Sequence, residues 1–209
     1  MVRIKVCGLK RDVDISYVNE LKVDYAGFVF AKSRRQVSLE EAKKLVDKLD
    51  SGIKRVGVFV NERAYEIQKA VEVLSLDIVQ LHGEEDLGEY LGLDVDIWKA
   101  VRVSCKEDVE RARLYKCPGV LFDAFVEGMY GGTGKVFDFG LIEKEELNSK
   151  VILAGGLNCN NVSLAIERVK PYAVDVSSGV ETEGVKDFDK MKEFVKRVRE
   201  YGKNFIQIW

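Results

Sequence analysis

Two stretches near the end of the chain decide the fold: Val151-Ile-Leu-Ala-Gly-Gly-Leu-Asn158 and Ala173-Val-Asp-Val-Ser-Ser-Gly-Val-Glu181. Each is a short apolar, β-branched run that stops abruptly at glycine, and a helix-patterned stretch over residues 160–169 separates them. Glycine at a strand end lets backbone N–H groups approach an anion closely, because no Cβ is in the way. A tight strand-to-helix turn would also use glycine. Two such endings in neighbouring units favour a phosphate-binding site.

The rest of the chain alternates strand and helix patterns in the same way. Strict alternation indicates parallel strands joined by crossover helices. Eight units without a linker favour a closed (β/α)8 barrel over an open doubly wound sheet, whose dinucleotide-binding version would need a G-x-G-x-x-G after the first strand. The strand-like runs cover 3–7, 25–30, 55–61, 78–82, 97–103, 119–123, 151–154 and 173–177. Helical periodicity fits 13–21, 39–49, 64–74, 86–91, 106–114, 139–145, 160–169 and 187–201.

The sequence therefore predicts a single (β/α)8 barrel domain over residues 1–209, with 202–209 as a C-terminal tail. That apolar, aromatic tail either folds back on the barrel or forms a subunit interface. Capping signals support two helix starts: Ser38 precedes a box closed by Glu41, and we expect Ser104 to cap the helix that contains Glu107 in the same manner.

The alternation of side chains along each strand predicts which groups enter the barrel. Successive strand residues point to opposite faces, and in strands one, four, six and eight one face is entirely apolar, as expected for contact with the surrounding helices. We expect the polar parity to face the interior, where the side chains are buried or partly buried. The polar groups expected in the interior are Lys5, Gln80, Asp123 and Asp175. Barrels of this kind place their chemistry at the C-terminal ends of the strands. The inward residues at those ends are Cys7, His82, Asp123 and Ser177.

Composition limits the classes of function. The 209 residues carry a formal net charge of −2 with acidic and basic residues interspersed, so we expect no nucleic-acid partner. No apolar run approaches membrane-spanning length and no signal-peptide pattern opens the chain, so we expect a cytoplasmic protein without membrane contact. One histidine and four cysteines without a C-x-x-C pair predict neither a metal site nor a disulfide framework.

Cys7 and Asp123 are the candidates for proton transfer. Cys7 ends its strand on the inward parity and is followed by Gly8; a thiolate there could abstract a proton if nearby cations lower its pKa. A buried structural cysteine is the simpler interpretation. Asp123 ends an otherwise apolar strand, where a carboxyl group could donate a proton; a capping aspartate is the alternative. An acid and a base across a barrel mouth fit a proton-transfer isomerisation.

Three further features surround this predicted mouth. Arg35 follows strand two and could clamp a carboxylate from the side opposite the phosphate-binding ends, or lie in a solvated basic loop. His82 either shapes the pocket or lies in a turn. The glycine-rich stretch 128–134 follows Asp123, and we expect it to be either a lid over the site or an ordinary surface loop.

The motifs together resemble one family. They are Lys5-Val-Cys-Gly-Leu9, Gly27-Phe-Val-Phe30, Ser33-Arg-Arg35, Val56-Gly-Val-Phe-Val-Asn61, Val79-Gln-Leu-His-Gly83, Asp123 with Gly131-Gly-Thr-Gly134 and Phe137-Asp138, and the two stretches that open this section. In this order and over nearly the whole chain, they resemble phosphoribosylanthranilate isomerase of tryptophan biosynthesis. The resemblance implies a (β/α)8 barrel and an Amadori rearrangement of N-(5′-phosphoribosyl)anthranilate to 1-(2-carboxyphenylamino)-1-deoxyribulose 5-phosphate.

By position, the resemblance implies roles for the candidate residues. Cys7 would be the general base, Asp123 the general acid, and Arg35 the residue that holds the anthranilate carboxylate. The phosphate would lie on Gly155, Gly156, Ser177, Ser178 and Gly179, and His82 and Asp175 complete the expected substrate-binding set. We expect no cofactor, a phosphorylated small molecule as substrate, and a monomer or homodimer. The alternatives are a related sugar-phosphate isomerase of histidine synthesis, which uses two carboxylates in place of Cys7, and a non-enzymatic phosphate-binding barrel.

Overall fold

Eight parallel strands, β1 to β8, pair in chain order and close on themselves because β8 pairs with β1. The structure, a computed structural model, describes residues 1–123, 142 and 148–204, with the backbone alone of 202–204. The strands are β1 Arg3–Cys7, β2 Tyr25–Val29, β3 Lys54–Phe59, β4 Ile78–Leu81, β5 Asp96–Arg102, β6 Gly119–Asp123, β7 Lys150–Ala154 and β8 Ala173–Val176. The predicted closed barrel is confirmed, and the open sheet is excluded.

Helices lie between the strands, as the alternating pattern predicts. They are α1 Asp12–Leu21, α2 Leu39–Val46, α3 Ala64–Leu74, α4 Lys106–Ala112, α5 Val162–Val169 and α6 Phe188–Asn204. A short antiparallel hairpin, β9 Glu181–Thr182 with β10 Val185–Lys186, follows β8 and precedes α6. None of the described helices combines the length and apolar character that crossing a bilayer requires.

The predicted alternation of side chains is confirmed. On each strand, every second side chain points outward and packs against the helices in the main hydrophobic cluster, which contains Ile4, Val6, Val79 and Val120. The other parity fills the barrel interior with a separate apolar layer. The interior layer consists of Tyr25, Val56, Ile78, Trp98, Ala100, Leu121, Ile152, Ala154 and Ala173. Polar inward groups nearer the C-terminal strand ends, such as Gln80 and Asp175, line a cavity above this layer.

Two local predictions are wrong in detail. The helix expected over 86–91 is a single 3-10 turn, Leu87–Tyr90, whose N-cap is Asp86. Ser104 is not the cap of α4: the N-cap is Cys105, and the reciprocal acidic residue is Asp108 at the third helical position. Ser104 instead donates its hydroxyl to the same Asp108 carboxylate at 2.8 Å. The predicted box of Ser38 and Glu41 is present.

Some expectations fall outside the described residues. The predicted lid over 128–134 is one, and the helix expected over 139–145 lies outside except for Ile142, which is buried. The predicted tail at 202–209 begins within a helix, because the backbone of α6 continues to Asn204. The single-domain organisation of residues 1–209 stays a prediction.

Candidate active site

A cavity of about 400 Å³ opens at the C-terminal ends of the strands. It brings together nearly all the residues that the sequence marked as candidates, although these are spread from strand one to the segment after strand eight. The candidates that line it are Cys7, Arg35, His82, Asp123, Gly155, Gly156, Asp175, Ser177 and Ser178. Gly179 is the exception. A Cβ at Gly179 would lie 1.9 Å from the Leu157 carbonyl oxygen, so this glycine lets the two strand-end loops pack against each other.

Cys7 lies at the rim of β1 with its side chain inside the barrel. Its neighbour in register on β2 is Gly27, and a Cβ there would lie 2.9 Å from Cys7 Sγ, so the absence of a side chain at Gly27 makes room for the thiol. Burial raises the pKa of Cys7, and the cations of Lys5 and Lys186 oppose that rise only in part. In the unliganded protein the thiol form is therefore favoured, contrary to the expected cation-stabilised thiolate.

The carboxyl group of Asp123 lies across the cavity, next to the imidazole of His82. His82 Nε2 is 3.4 Å from Asp123 Oδ2. On its other side, the ring contacts the side-chain amide of Gln80, whose Nε2 is 3.0 Å from His82 Nδ1. An amide nitrogen only donates, so Nδ1 accepts, and in the neutral ring the hydrogen is on Nε2, the nitrogen that contacts Asp123. The three residues form one row of polar contacts along the wall of the cavity.

Beneath Cys7, a fully buried ion pair crosses from β1 to β8. Lys5 Nζ lies 2.7 Å from Asp175 Oδ2, and the exposed fractions of the two side chains are 0% and 8%. The other carboxylate oxygen, Asp175 Oδ1, has no hydrogen-bond partner among the described residues, and the same is true of Gln80 Oε1. Because a buried acceptor without a donor is costly, these two oxygens leave places for hydroxyl groups of a ligand in the cavity.

The ends of β7 and β8 offer backbone donors. Gly155 and Gly156 have positive φ values of 89° and 67°. Within the described part of the chain, the N–H groups of Gly155, Gly156 and Gly179 meet no acceptor. Ser177 uses its own hydroxyl to donate to the Cys7 carbonyl at 3.0 Å, which joins the end of β8 to that of β1. The arrangement presents backbone N–H groups that are suited to an anion.

Arg35 lies on the same side of the mouth as the β8 ending and not opposite it, so the expected position of its side chain is wrong. Its guanidinium contacts Glu181, directly after the β8 ending, with Nε 2.7 Å from Oε1 and Nη2 2.7 Å from Oε2. Closure of the barrel is the cause, because β8 pairs with β1 and β1 with β2. The Arg35 side chain runs over Gly8, where a Cβ would lie 2.3 Å from Arg35 Cδ.

Comparison with known proteins gives a consistent result. A family profile described as N-(5′-phosphoribosyl)anthranilate (PRA) isomerase matches residues 4–197. An N-(5′-phosphoribosyl)anthranilate isomerase of Thermoanaerobacter sp. (strain X514) is 52% identical over 201 residues, which is 95% of this chain and 98% of the relative. The chain belongs to the PRA isomerase family.

Solved structures agree with this assignment. The crystal structure of phosphoribosyl anthranilate isomerase from Thermotoga maritima is 42% identical to the chain with a TM-score of 0.88, covering 96% of this chain and all of that one. A second phosphoribosyl anthranilate isomerase structure, 39% identical with a TM-score of 0.85 and the same coverages, was solved in complex with reduced 1-(o-carboxyphenylamino)-1-deoxyribulose 5-phosphate.

Two residues of this PRA isomerase family member were not predicted from its sequence. Glu181 accepts hydrogen bonds from Arg34, Arg35 and Lys186, and its side chain is only 4% exposed. Lys186 is also buried and donates to the Ser177 carbonyl at 3.0 Å. Glu181 closes the stretch Ala173–Glu181, so the sequence does carry a signal for it. Lys186 lies in a two-residue strand, too short for any periodicity to signal its burial.

A second buried ion pair supports the loop after β4. Lys99 Nζ lies 2.6 Å from Glu85 Oε2 and 2.5 Å from the Gly83 carbonyl oxygen. Both Glu85 oxygens in turn accept from the Gly83 N–H, at 3.0 and 2.9 Å, and Oε1 accepts from the Asn61 N–H at 2.8 Å. The pair therefore holds the backbone next to His82.

Proposed function

We propose that the protein catalyses the Amadori rearrangement of N-(5′-phosphoribosyl)anthranilate to 1-(2-carboxyphenylamino)-1-deoxyribulose 5-phosphate, a step of tryptophan biosynthesis. One observation carries the assignment of roles: Cys7 and Asp123 line the same cavity as the two glycine endings and Arg35. A base, an acid, an anion site and a cation thus surround a space that suits one small phosphorylated ligand.

Asp123 is the proposed general acid. Opening the ribose ring requires a proton on the ring oxygen as the bond between C1′ and that oxygen breaks. The nitrogen lone pair then forms the C1′–N double bond of an iminium ion. The contact between Asp123 and the His82 row keeps the carboxyl group at the wall of the cavity, where it can reach the ring oxygen.

Cys7 is the proposed general base for the second step. Its thiolate removes the proton from C2′, and the electron pair of that C–H bond moves into the C1′–C2′ bond while the iminium nitrogen regains its lone pair. The product is an enol-amine, which becomes the ketone when C1′ takes a proton and the hydroxyl group on C2′ loses one. The nitrogen of the substrate acts as the electron sink, so the reaction needs no metal or organic cofactor.

The remaining contacts follow from charge. The backbone N–H groups of Gly155, Gly156 and Gly179, with Ser177 and Ser178, suit the phosphate. Asp175 Oδ1 and Gln80 Oε1 suit the sugar hydroxyl groups, because both are buried acceptors. His82 lines the cavity beside Asp123, and Arg35 is the cation for the aromatic carboxylate. A cytoplasmic monomer or homodimer stays our prediction for the assembled enzyme.

The test is turnover of the anthranilate conjugate by folded Cys7→Ala and Asp123→Ala proteins. A positioned acid or base contributes ~10²–10⁴-fold, so each variant should lose about that factor in kcat. The matched control is Cys105→Ala, because Cys105 is exposed and outside the cavity. Turnover near the wild-type level in either variant would remove that residue from its role, and a wild-type protein that binds without turnover would leave only a binding function.

A further inference from the structure

Glu181 is the centre of a compact charge cluster at the edge of the cavity. Its Oε1 accepts from Arg35 Nε and from Lys186 Nζ, both at 2.7 Å. Its Oε2 accepts from Arg35 Nη2 at 2.7 Å and from Arg34 Nη2 at 2.8 Å. The carboxylate is nearly inaccessible to solvent, whereas Arg35 lines the cavity. The proposed mechanism gives Glu181 no part in proton transfer, so its burial needs another explanation.

The contact with Glu181 leaves one edge of the Arg35 guanidinium for a ligand. A guanidinium has five N–H groups arranged along two bidentate edges and can bind two carboxylates. Glu181 takes the edge formed by Nε and Nη2. The edge formed by Nη1 and Nη2 is the one that suits a second carboxylate. An arginine fixed along one edge has little side-chain freedom left to lose when a ligand binds to the other edge.

The charge of the cluster favours an anionic ligand. Three cations, Arg34, Arg35 and Lys186, face the single carboxylate of Glu181. Burial would raise the pKa of Glu181, but hydrogen bonds from Arg35 and Lys186 outweigh burial and hold the pKa at about 2. Glu181 is therefore ionised at neutral pH. The excess of positive charge remains, and a second carboxylate would reduce it.

We propose that Glu181 is a positioning residue that orients Arg35, so that the remaining guanidinium edge receives the carboxylate of the aromatic amine. This inference rests on the proposed function and deepens it: Glu181 makes the site specific for a carboxylated substrate without touching that substrate. It acts on binding and not on proton transfer.

The test compares Glu181→Gln with the wild type on two substrates, the anthranilate conjugate and the matching aniline conjugate, which lacks the carboxylate. Loss of a hydrogen bond to a charged group changes binding by about tenfold or more. We expect KM for the anthranilate conjugate to rise by about that factor, with kcat changed less than about threefold and KM for the aniline conjugate unchanged. The matched control is Glu183→Gln, because Glu183 is exposed on the same hairpin.

Dependence on Arg35 gives a second readout. In an Arg35→Ala background, Glu181→Gln should raise KM for the anthranilate conjugate no further, because residues that act as a unit are not additive. An equal rise in KM for both conjugates would show a merely structural role and overturn the inference. A fall in KM would overturn it too, since Glu181 would then compete with the substrate for Arg35. Failure of the wild type to isomerise either conjugate would instead overturn the proposed function.

Discussion

His82 Nε2 lies 3.4 Å from Asp123 Oδ2, and the same ring receives a hydrogen bond at Nδ1 from Gln80, 3.0 Å away. Strand β4 supplies Gln80, and His82 follows the end of that strand, so both side chains point into the barrel. Together they form a row of contacts that ends at Asp123, the proposed acid. The amide sets the direction of the hydrogen bond between Gln80 and His82, because its nitrogen can only donate.

Gln80→Met should therefore impair catalysis through His82. Methionine fills the same space without an amide, so the imidazole loses the group that fixes its orientation, and misplacement of a catalytic neighbour is costly in rate. We expect kcat to fall about tenfold or more. Steady-state kinetics on the anthranilate conjugate measure this. Gln68→Met, the same change on helix α3 outside the barrel, should leave kcat as it is. Equal kcat for the two variants would show that catalysis does not depend on the contact between Gln80 and His82.

Gly156→Val should weaken phosphate binding. A Cβ at Gly156 meets no atom of the described residues within 4 Å, and Gly156 lines the cavity, so the new side chain would occupy space that the anion needs. The positive φ adds strain of roughly 1–2 kcal/mol. Titration with inorganic phosphate should show about tenfold weaker binding or worse. Gly52→Val, also in open space but far from the cavity, is the control. Unchanged phosphate affinity in folded Gly156→Val would count against this site.

Lys99→Met should destabilise the fold strongly. It leaves the Glu85 carboxylate buried without its cation, and breaking a buried pair costs about 3–5 kcal/mol. Urea unfolding should show that loss as a lower midpoint at unchanged slope. Lys44→Met, which removes an exposed helical pair with Glu40, should change the midpoint little. A similar midpoint for both variants would show that Glu85 does not depend on Lys99.

Strand parity and strand ends could be predicted because each is a local property of the sequence. Lys5 and Gln80 are buried where alternation placed them, and Cys7 and Asp123 lie at the rim where their strands stop. The contact between Arg35 and Glu181 could not be found in this way. The two residues are 146 positions apart, and only the pairing of β8 with β1 brings them together.

The protonation state of Cys7 also could not be predicted from the sequence, because it depends on the balance between burial, which favours the thiol, and nearby cations, which favour the thiolate. Spacing along a strand indicates that Lys5 shares a face with Cys7, which favours a thiolate. It does not indicate how completely closure of the barrel removes water from the thiol. In the structure, burial together with the carboxylate of Asp175 raises the pKa of Cys7 by more than the two cations lower it.

The raised pKa of Cys7 predicts the alkaline side of the pH–rate profile. The reactive form has Asp123 protonated and Cys7 ionised, so the two groups together hold one proton. Above the pKa of Cys7 this shared proton is lost, and with it the acid that ring opening requires. Burial raises that pKa above the ordinary value of 9.0. We therefore expect kcat/KM, which reports the free enzyme, to stay level through neutral pH and to fall only above pH 9. Labelling of Cys7 by iodoacetamide, followed by mass spectrometry, should accelerate over the same pH range, because the thiolate is the nucleophile. A decline in kcat/KM and a labelling midpoint that both fall near pH 7 would show instead that the cations prevail over burial.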